Sequence, residues 1–178
     1  MIICISGLTG SGKDTVAGLV AKKLGLPHVN PTFKTYAKEK GLSLLEFQKE
    51  NSDGKFDREF DAKLLAEVAK TGGNCVVSTW LGPWIIKQAD IRVRLHAPVR
   101  TRATRIAKRD GTGVEDALAH MEKRERHNRE RYKRVYGFDI DDREIFDLEM
   151  DTKKNGAQEC AEMIADFARK RMAGTGRN

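Results

Sequence analysis

Residues Gly7-Leu8-Thr9-Gly10-Ser11-Gly12-Lys13-Asp14-Thr15 fit the spacing G-x-x-x-x-G-K. They follow a β-rich apolar run, Ile2 to Ile5, and precede a helical stripe at Val16, Leu19, Val20 and Leu24. A strand, a glycine-rich loop and a helix start in that order form a phosphate-binding loop. The glycines let successive backbone N–H groups turn inward, the helix start adds its positive dipole end, and Lys13 brings a mobile cation to the β- and γ-phosphates of a nucleotide. Gly7, Thr9, Gly10, Ser11, Gly12 and Lys13 are therefore the expected nucleotide-binding residues. Asp14 stands where Ser or Thr usually meets magnesium, with Thr15 next to it. Both are oxygen donors of the kind magnesium prefers, so both are candidate ligands, although Asp14 could equally be a helix-start acid favoured by the dipole.

Strand and helix signals alternate beyond the loop. Lys22-Lys23-Leu24-Gly25 followed by Pro27 ends the first helix; Phe33, Tyr36 and Ala37 predict a short one ending at Gly41, and Ser43-Leu44-Leu45-Glu46 has the form of a capping box opening another, broken at Asn51-Ser52-Asp53-Gly54. Phe60, Leu64 and Val68 predict a further helix closed by Thr71–Asn74, then Cys75–Ser78 reads as a buried strand and Ile91, Val93 and Leu95 as another. Helical patterns follow at Val99–Arg109 and Val114–Tyr136, with a strand at Ile145–Met150, an amphipathic helix around Cys160–Ala168 and a frayed tail at Ala173–Asn178. This alternation predicts one α/β domain around a parallel sheet.

Composition narrows the setting. A chain of 178 residues with 39% hydrophobic and 33% charged residues can bury one core, and its apolar runs are far short of a membrane span. No basic stretch precedes an apolar one near residue 1, and Cys4, Cys75 and Cys160 are too widely spaced for a zinc site or a disulfide framework, so a cytoplasmic setting is expected. Of the net charge of +7, most lies in residues 100–136, which hold twelve Lys and Arg against six acids. Such a run is either a solvated helical face or a surface that meets phosphates, on a nucleotide or on nucleic acid. Arg124, Asn128 and Arg131 lie at i, i+4 and i+7 and so share one helical face, from which Arg126 and Arg129 are turned away. Trp80 and Trp84 flank Gly82-Pro83 beside a strand end, where they could stack on a base or simply pack. His28, His96, His120 and His127 have no metal-ligand spacing.

The loop, the chain length and the order of segments resemble the nucleoside monophosphate kinases, and most closely the compact archaeal-type cytidylate kinases. The most specific stretches are Gly7–Thr15, Ala37–Ser43 before Glu46-Phe47, Arg105-Ile106-Ala107-Lys108-Arg109, and Arg131-Tyr132-Lys133 with Tyr136–Asp142. The resemblance implies a three-layer P-loop kinase fold over residues 1–178, with a parallel central sheet flanked by helices, acceptor-binding helices at about 32–70 and a short helical lid at about 105–131. It implies transfer of the ATP γ-phosphoryl group to CMP or dCMP with magnesium. In the family's pattern Arg105 and Arg109 are the pair that meets ATP; Arg124 and Arg131 meet the transferred phosphate, with Lys13 and Arg109 also catalytic; Asn128 meets the acceptor nucleotide. Lys34, Asp57 and Asp61, together with Trp80, complete the expected acceptor side.

Three departures stand out. Lys34 occupies a position usually held by arginine, and the arginine expected after the middle strand is absent from Thr79-Trp80-Leu81-Gly82. A magnesium-side carboxylate at the end of that strand is replaced by Ser78. These changes leave open a related kinase with another small acceptor, and the basic segment leaves open an ATP-binding RNA-associated protein. The expected partners are small nucleotides, with no nucleic acid and no membrane, and the expected state is a monomer.

Overall fold

Ile2–Ser6 is buried along its whole length, which places it at the centre of the sheet as β1. The computed structural model describes residues 1–41 and 54–175, the side chains of Lys34 and Thr175 excepted. After β1 come α1 (Lys13–Leu24), β2 (His28–Val29), α2 (Phe33–Glu39), α3 (Lys55–Lys70), β3 (Cys75–Ser78), α4 (Gly82–Ile85), β4 (Ile91–His96), α5 (Val99–Asp110), α6 (Val114–Tyr136), β5 (Leu148–Asp151) and α7 (Ala157–Thr175). The capping box at Ser43–Glu46 and the break at Asn51–Asp53 lie outside the described residues.

All strand pairs are parallel and the sheet order is β2-β3-β1-β4-β5. Alternate residues of β1 serve opposite faces. Ile3 and Ile5 join Ile91, Val93 and Leu95 of β4 under Val16 and Val20 of α1 and Ala161 and Ile164 of α7. Ile2 and Cys4 join Cys75 and Val77 of β3 under Leu64 and Val68 of α3. The result is the three-layer α/β arrangement expected from the sequence. Its ligand crevice is expected above the carboxyl end of β1, where the connections diverge to the two sides of the sheet. Cys4, Cys75 and Cys160 are buried free thiols, and no helix among the described residues is long and apolar enough to cross a membrane.

Three local readings change. The last strand is Leu148–Asp151 rather than Ile145–Met150, because Ile145 and Phe146 pack on the cluster around Trp84, Leu81 and Tyr132. Residues 173–175, expected in a frayed tail, continue α7. Two elements carry no periodic signal, the two-residue β2 and the four-residue α4, the latter started by Pro83 at its first turn.

The even-numbered residues of β4 face away from α1 and α7, and Arg92 among them organises the chain after β3. Its Nε donates to Pro83 O at 2.9 Å, Nη1 to Ala89 O at 3.1 Å, and Nη2 to Lys87 O at 3.0 Å. These bonds hold α4 and its outgoing turn against the sheet, and with them Trp84. Arg92→Met should leave those carbonyls without donors and lower the unfolding free energy by about 2–3 kcal/mol in urea denaturation.

Candidate active site

The loop between β1 and α1 is moulded by close contacts rather than by side chains of its own. A Cβ on Gly7 would stand 2.4 Å from Leu95 O and 2.5 Å from Ser11 Oγ, so β4 passes directly beneath the loop. Gly10 has φ +81°, and a Cβ there would stand 2.8 Å from Arg102 O. α1 starts at Gly12 without a side-chain cap, which suits an anion arriving at its N-terminus. Ser11 Oγ is buried without a hydrogen-bond partner among the described residues.

A cavity of about 470 Å³ opens beside this loop, lined by the chain that follows β1, β2 and β3 together with residues of α3, α5 and α6. Among the described residues, four cationic ones line it: Lys13, Arg109, Arg124 and Arg131. Asn128 lines it as well, so the face read at i, i+4 and i+7 of α6 is the face turned to the cavity. Arg126, on another face, is exposed, and Arg129 pairs with Asp141 at 2.6 Å. Lys13 Nζ lies 3.1 Å from Asp14 Oδ2, and Asp14 also lines the cavity. Thr15 is exposed and is not part of the lining.

Arg105 and Arg109 occupy different places. Arg109 lines the cavity with its guanidinium on Asp110, at 2.7 and 2.8 Å. Arg105 spends its donors on the loop and on the chain after β5: Nη1 donates to Gly10 O at 3.2 Å and Thr152 Oγ1 at 2.8 Å, and Nη2 to Thr152 O at 2.7 Å. Neither Thr152 nor Arg102, a second arginine on the loop, was marked by any motif.

The lining also has an aromatic and apolar part, with Phe33, Phe60 and Leu64. Phe33 and Phe60 are stacked at 4.3 Å between centroids. Arg131, 8% exposed, lies 5.4 Å from the Phe33 ring and 4.9 Å from the Tyr132 ring, with Nη2 3.4 Å from Asp57 Oδ1. Its Nε is buried without a hydrogen-bond partner among the described residues. Asp57 is 1% exposed and reaches the site through Arg131, whereas Asp61 lines the cavity and accepts a hydrogen bond from Tyr136 Oη. Lys34 belongs to α2, but its side chain lies outside the described residues.

Trp80 and Trp84 separate in function. Trp84 is buried, stacked on Phe138 and edge-on to Phe146, and is a packing residue. Trp80 lines the cavity, with the Arg124 guanidinium 5.7 Å from its ring, and also walls a second cavity of about 330 Å³ against His96 and Phe146. Ser78, also in the lining, is 2.9 Å from His28 Nε2, whose imidazole burial keeps toward its neutral form.

Residues 2–154 match the model of the cytidylate kinase-like family. The chain is 45% identical over 157 residues to a cytidylate kinase of Pyrococcus horikoshii, covering 86% of this chain and 81% of the relative. It is 38% identical over 171 residues to a cytidylate kinase of Pyrobaculum aerophilum, covering 94% and 92%. A solved shikimate kinase from Acinetobacter baumannii in complex with shikimate shares the fold, with a TM-score of 0.61 at 21% identity over 95% of this chain and 93% of that one. An uncharacterised protein from Eubacterium ventriosum superposes with a TM-score of 0.69 at 17% identity, over 94% and 97%.

Burial raises the Asp61 carboxyl to about 6, with the charge of Asp57 acting in the same sense and the Tyr136 hydrogen bond and Arg131 opposing it. The folded state thus holds this proton more tightly than the unfolded chain does. The stabilising contribution is complete below the ordinary carboxylate range and is lost as pH rises through about 6. Asp61→Asn, which can still accept from Tyr136, should match the parent in urea unfolding at pH 4 and exceed it at pH 7.5 by on the order of 2–3 kcal/mol.

Proposed function

The chain belongs to the cytidylate kinase-like family, and we propose that it is a phosphotransferase moving the γ-phosphoryl group of ATP to CMP or dCMP, with CDP or dCDP and ADP as products. The observation that carries this reading is one cavity beside the phosphate loop that gathers Lys13, Arg109, Arg124 and Arg131, which can meet phosphates, together with Phe33, Phe60, Leu64 and Asp61, which can hold a polar heterocycle.

An oxygen of the acceptor phosphate attacks the γ-phosphorus, and the bond from that phosphorus to the oxygen bridging it to ADP breaks. The acceptor oxygen is already anionic, so the site needs no nucleophilic side chain and acts by placing the two phosphates in line and neutralising charge. Lys13 and the loop from Gly7 to Gly12 hold the donor phosphates, and Arg109 serves the ATP side. Arg105 serves it through the loop carbonyl that it binds. Arg124 and Arg131 face the point of transfer, where planar guanidinium groups can bridge oxygens of donor and acceptor. Asn128, Asp61, Trp80 and Lys34 serve the acceptor, and Asp57 holds Arg131 for it.

Among the described residues no group of three or more His, Cys, Asp or Glu could hold a metal alone. Magnesium commonly takes one or two carboxylates and completes its shell with substrate phosphates and water. Asp14, in the cavity lining, would hold it directly or through water. Bound magnesium supplies charge neutralisation on the phosphate oxygens.

Coupled ADP release measured with CMP, dCMP, UMP, AMP and GMP in turn tests the reading. CMP or dCMP should give the highest turnover, and no release above background with either would end it. The arginine roles have their own check, because Arg124 is exposed and its loss should leave the fold intact. Arg124→Ala should lower kcat on the order of a thousandfold with ATP affinity within a few fold, whereas Arg126→Ala should leave both unchanged.

A further inference from the structure

Three consecutive carbonyls of the phosphate loop are anchored by side chains from elsewhere. Arg102 Nη1 donates to Thr9 O at 3.0 Å, Arg105 Nη1 to Gly10 O at 3.2 Å, and Thr152 Oγ1 to Ser11 O at 2.9 Å. In a planar trans peptide the N–H points opposite to the C=O, so anchoring Thr9 O and Ser11 O on one side directs the Gly10 and Gly12 N–H groups to the other. Arg102 does more than anchor. Its Nε donates to Ala97 O at 3.2 Å, at the end of β4, and its two Nη atoms grip both carboxylate oxygens of Glu125, the Nη2 contact being 3.3 Å. The pair is sealed from water, with Arg102 6% and Glu125 5% exposed.

Glu125 follows Arg124 on α6 and precedes Asn128 by less than one turn. One guanidinium thus joins the loop that would hold the donor phosphates, the strand beneath that loop, and the helix that carries the cavity-facing arginines. We propose that Arg102 and Glu125 are positioning residues, a buried strut that sets the orientation of the loop's N–H groups and the distance from the loop to the arginine face of α6. This rests on phosphoryl transfer being the reaction only for its turnover readout; the nucleotide-binding readout stands without it. The planar guanidinium is required because Ala97 O, Thr9 O and the two carboxylate oxygens of Glu125 are four acceptors met from three separate nitrogens, whereas an ammonium has three donors on one nitrogen. Small displacements between reacting groups are costly in phosphoryl transfer, where alignment supplies much of the rate.

Two variants separate positioning from mere stabilisation. Arg102→Lys keeps the charge opposite Glu125 and loses the bridge. Arg102→Met combined with Glu125→Leu removes both buried charges at similar volume, a change that proteins often tolerate without loss of stability. Each is compared with the parent in thermal unfolding, in affinity for a fluorescent ATP analogue, and in ADP release with CMP, all well below the unfolding temperature. The expected result is a kcat lower by about a hundredfold and an affinity for the analogue weaker by about tenfold, in both variants and whatever the change in Tm. Affinity and kcat within twofold of the parent, with only Tm displaced, would overturn the proposal and leave the pair a structural one. If the double variant does not fold, Arg102→Lys decides alone. If the parent binds the analogue but transfers nothing to any acceptor, the kinase reading fails and the affinity comparison still decides the strut.

Discussion

A loop that binds phosphate through its own N–H groups has little with which to hold its own shape, so its geometry must be imposed from outside. Here β4 imposes it from below, at the contact of Gly7 with Leu95 O, and α5 imposes it from the side, at the contact of Gly10 with Arg102. Arg105 and Thr152 add polar anchors from α5 and from the turn after β5. The sheet, the arginine helices and the final turn therefore converge on the loop from Gly7 to Gly12, which lies at the divergence of the chain connections above β1.

The basic segment illustrates how little net charge says about partners. Arg100 pairs with Glu115, Arg102 with Glu125, Arg129 with Asp141, and Arg131 with Asp57. Acids within the protein thus pair with several of the cations of residues 100–136, and Arg109, Arg124 and Arg131 line the cavity. Arg131 is desolvated between Phe33 and Tyr132, yet its buried Nε–H has no acceptor among the described residues, a group whose burial is costly until an acceptor oxygen reaches it.

Where the sequence reading held, a local period or a fixed spacing carried it. β3 and α6 begin and end where their patterns placed them, and the cavity-facing side of α6 is the one read from the steps between Arg124, Asn128 and Arg131. Where it failed, the segment was too short to show a period, as in β2, or was claimed by distant packing, as when Phe146 left the last strand for the Trp84 cluster. One signal passed unused: Arg102 lies one turn before Ile106 on the buried stripe of α5, and a cation on an apolar stripe implies a buried partner.

The sequence by itself determined the phosphate loop, the alternation that makes a parallel α/β sheet, and the set of cationic residues available to a nucleotide. Each of these is written in residue type and spacing over a few turns of chain. Only the tertiary structure decided the strand order, which of the twelve basic residues of segment 100–136 face the cavity, and that Arg105 braces the loop while Arg109 lines the site. An arginine that is solvated, buried against a carboxylate or directed at a substrate is the same letter in the same kind of helix. Its role depends on which distant carbonyls and carboxylates the fold brings within about 3 Å, and that is set by packing between elements rather than by local pattern.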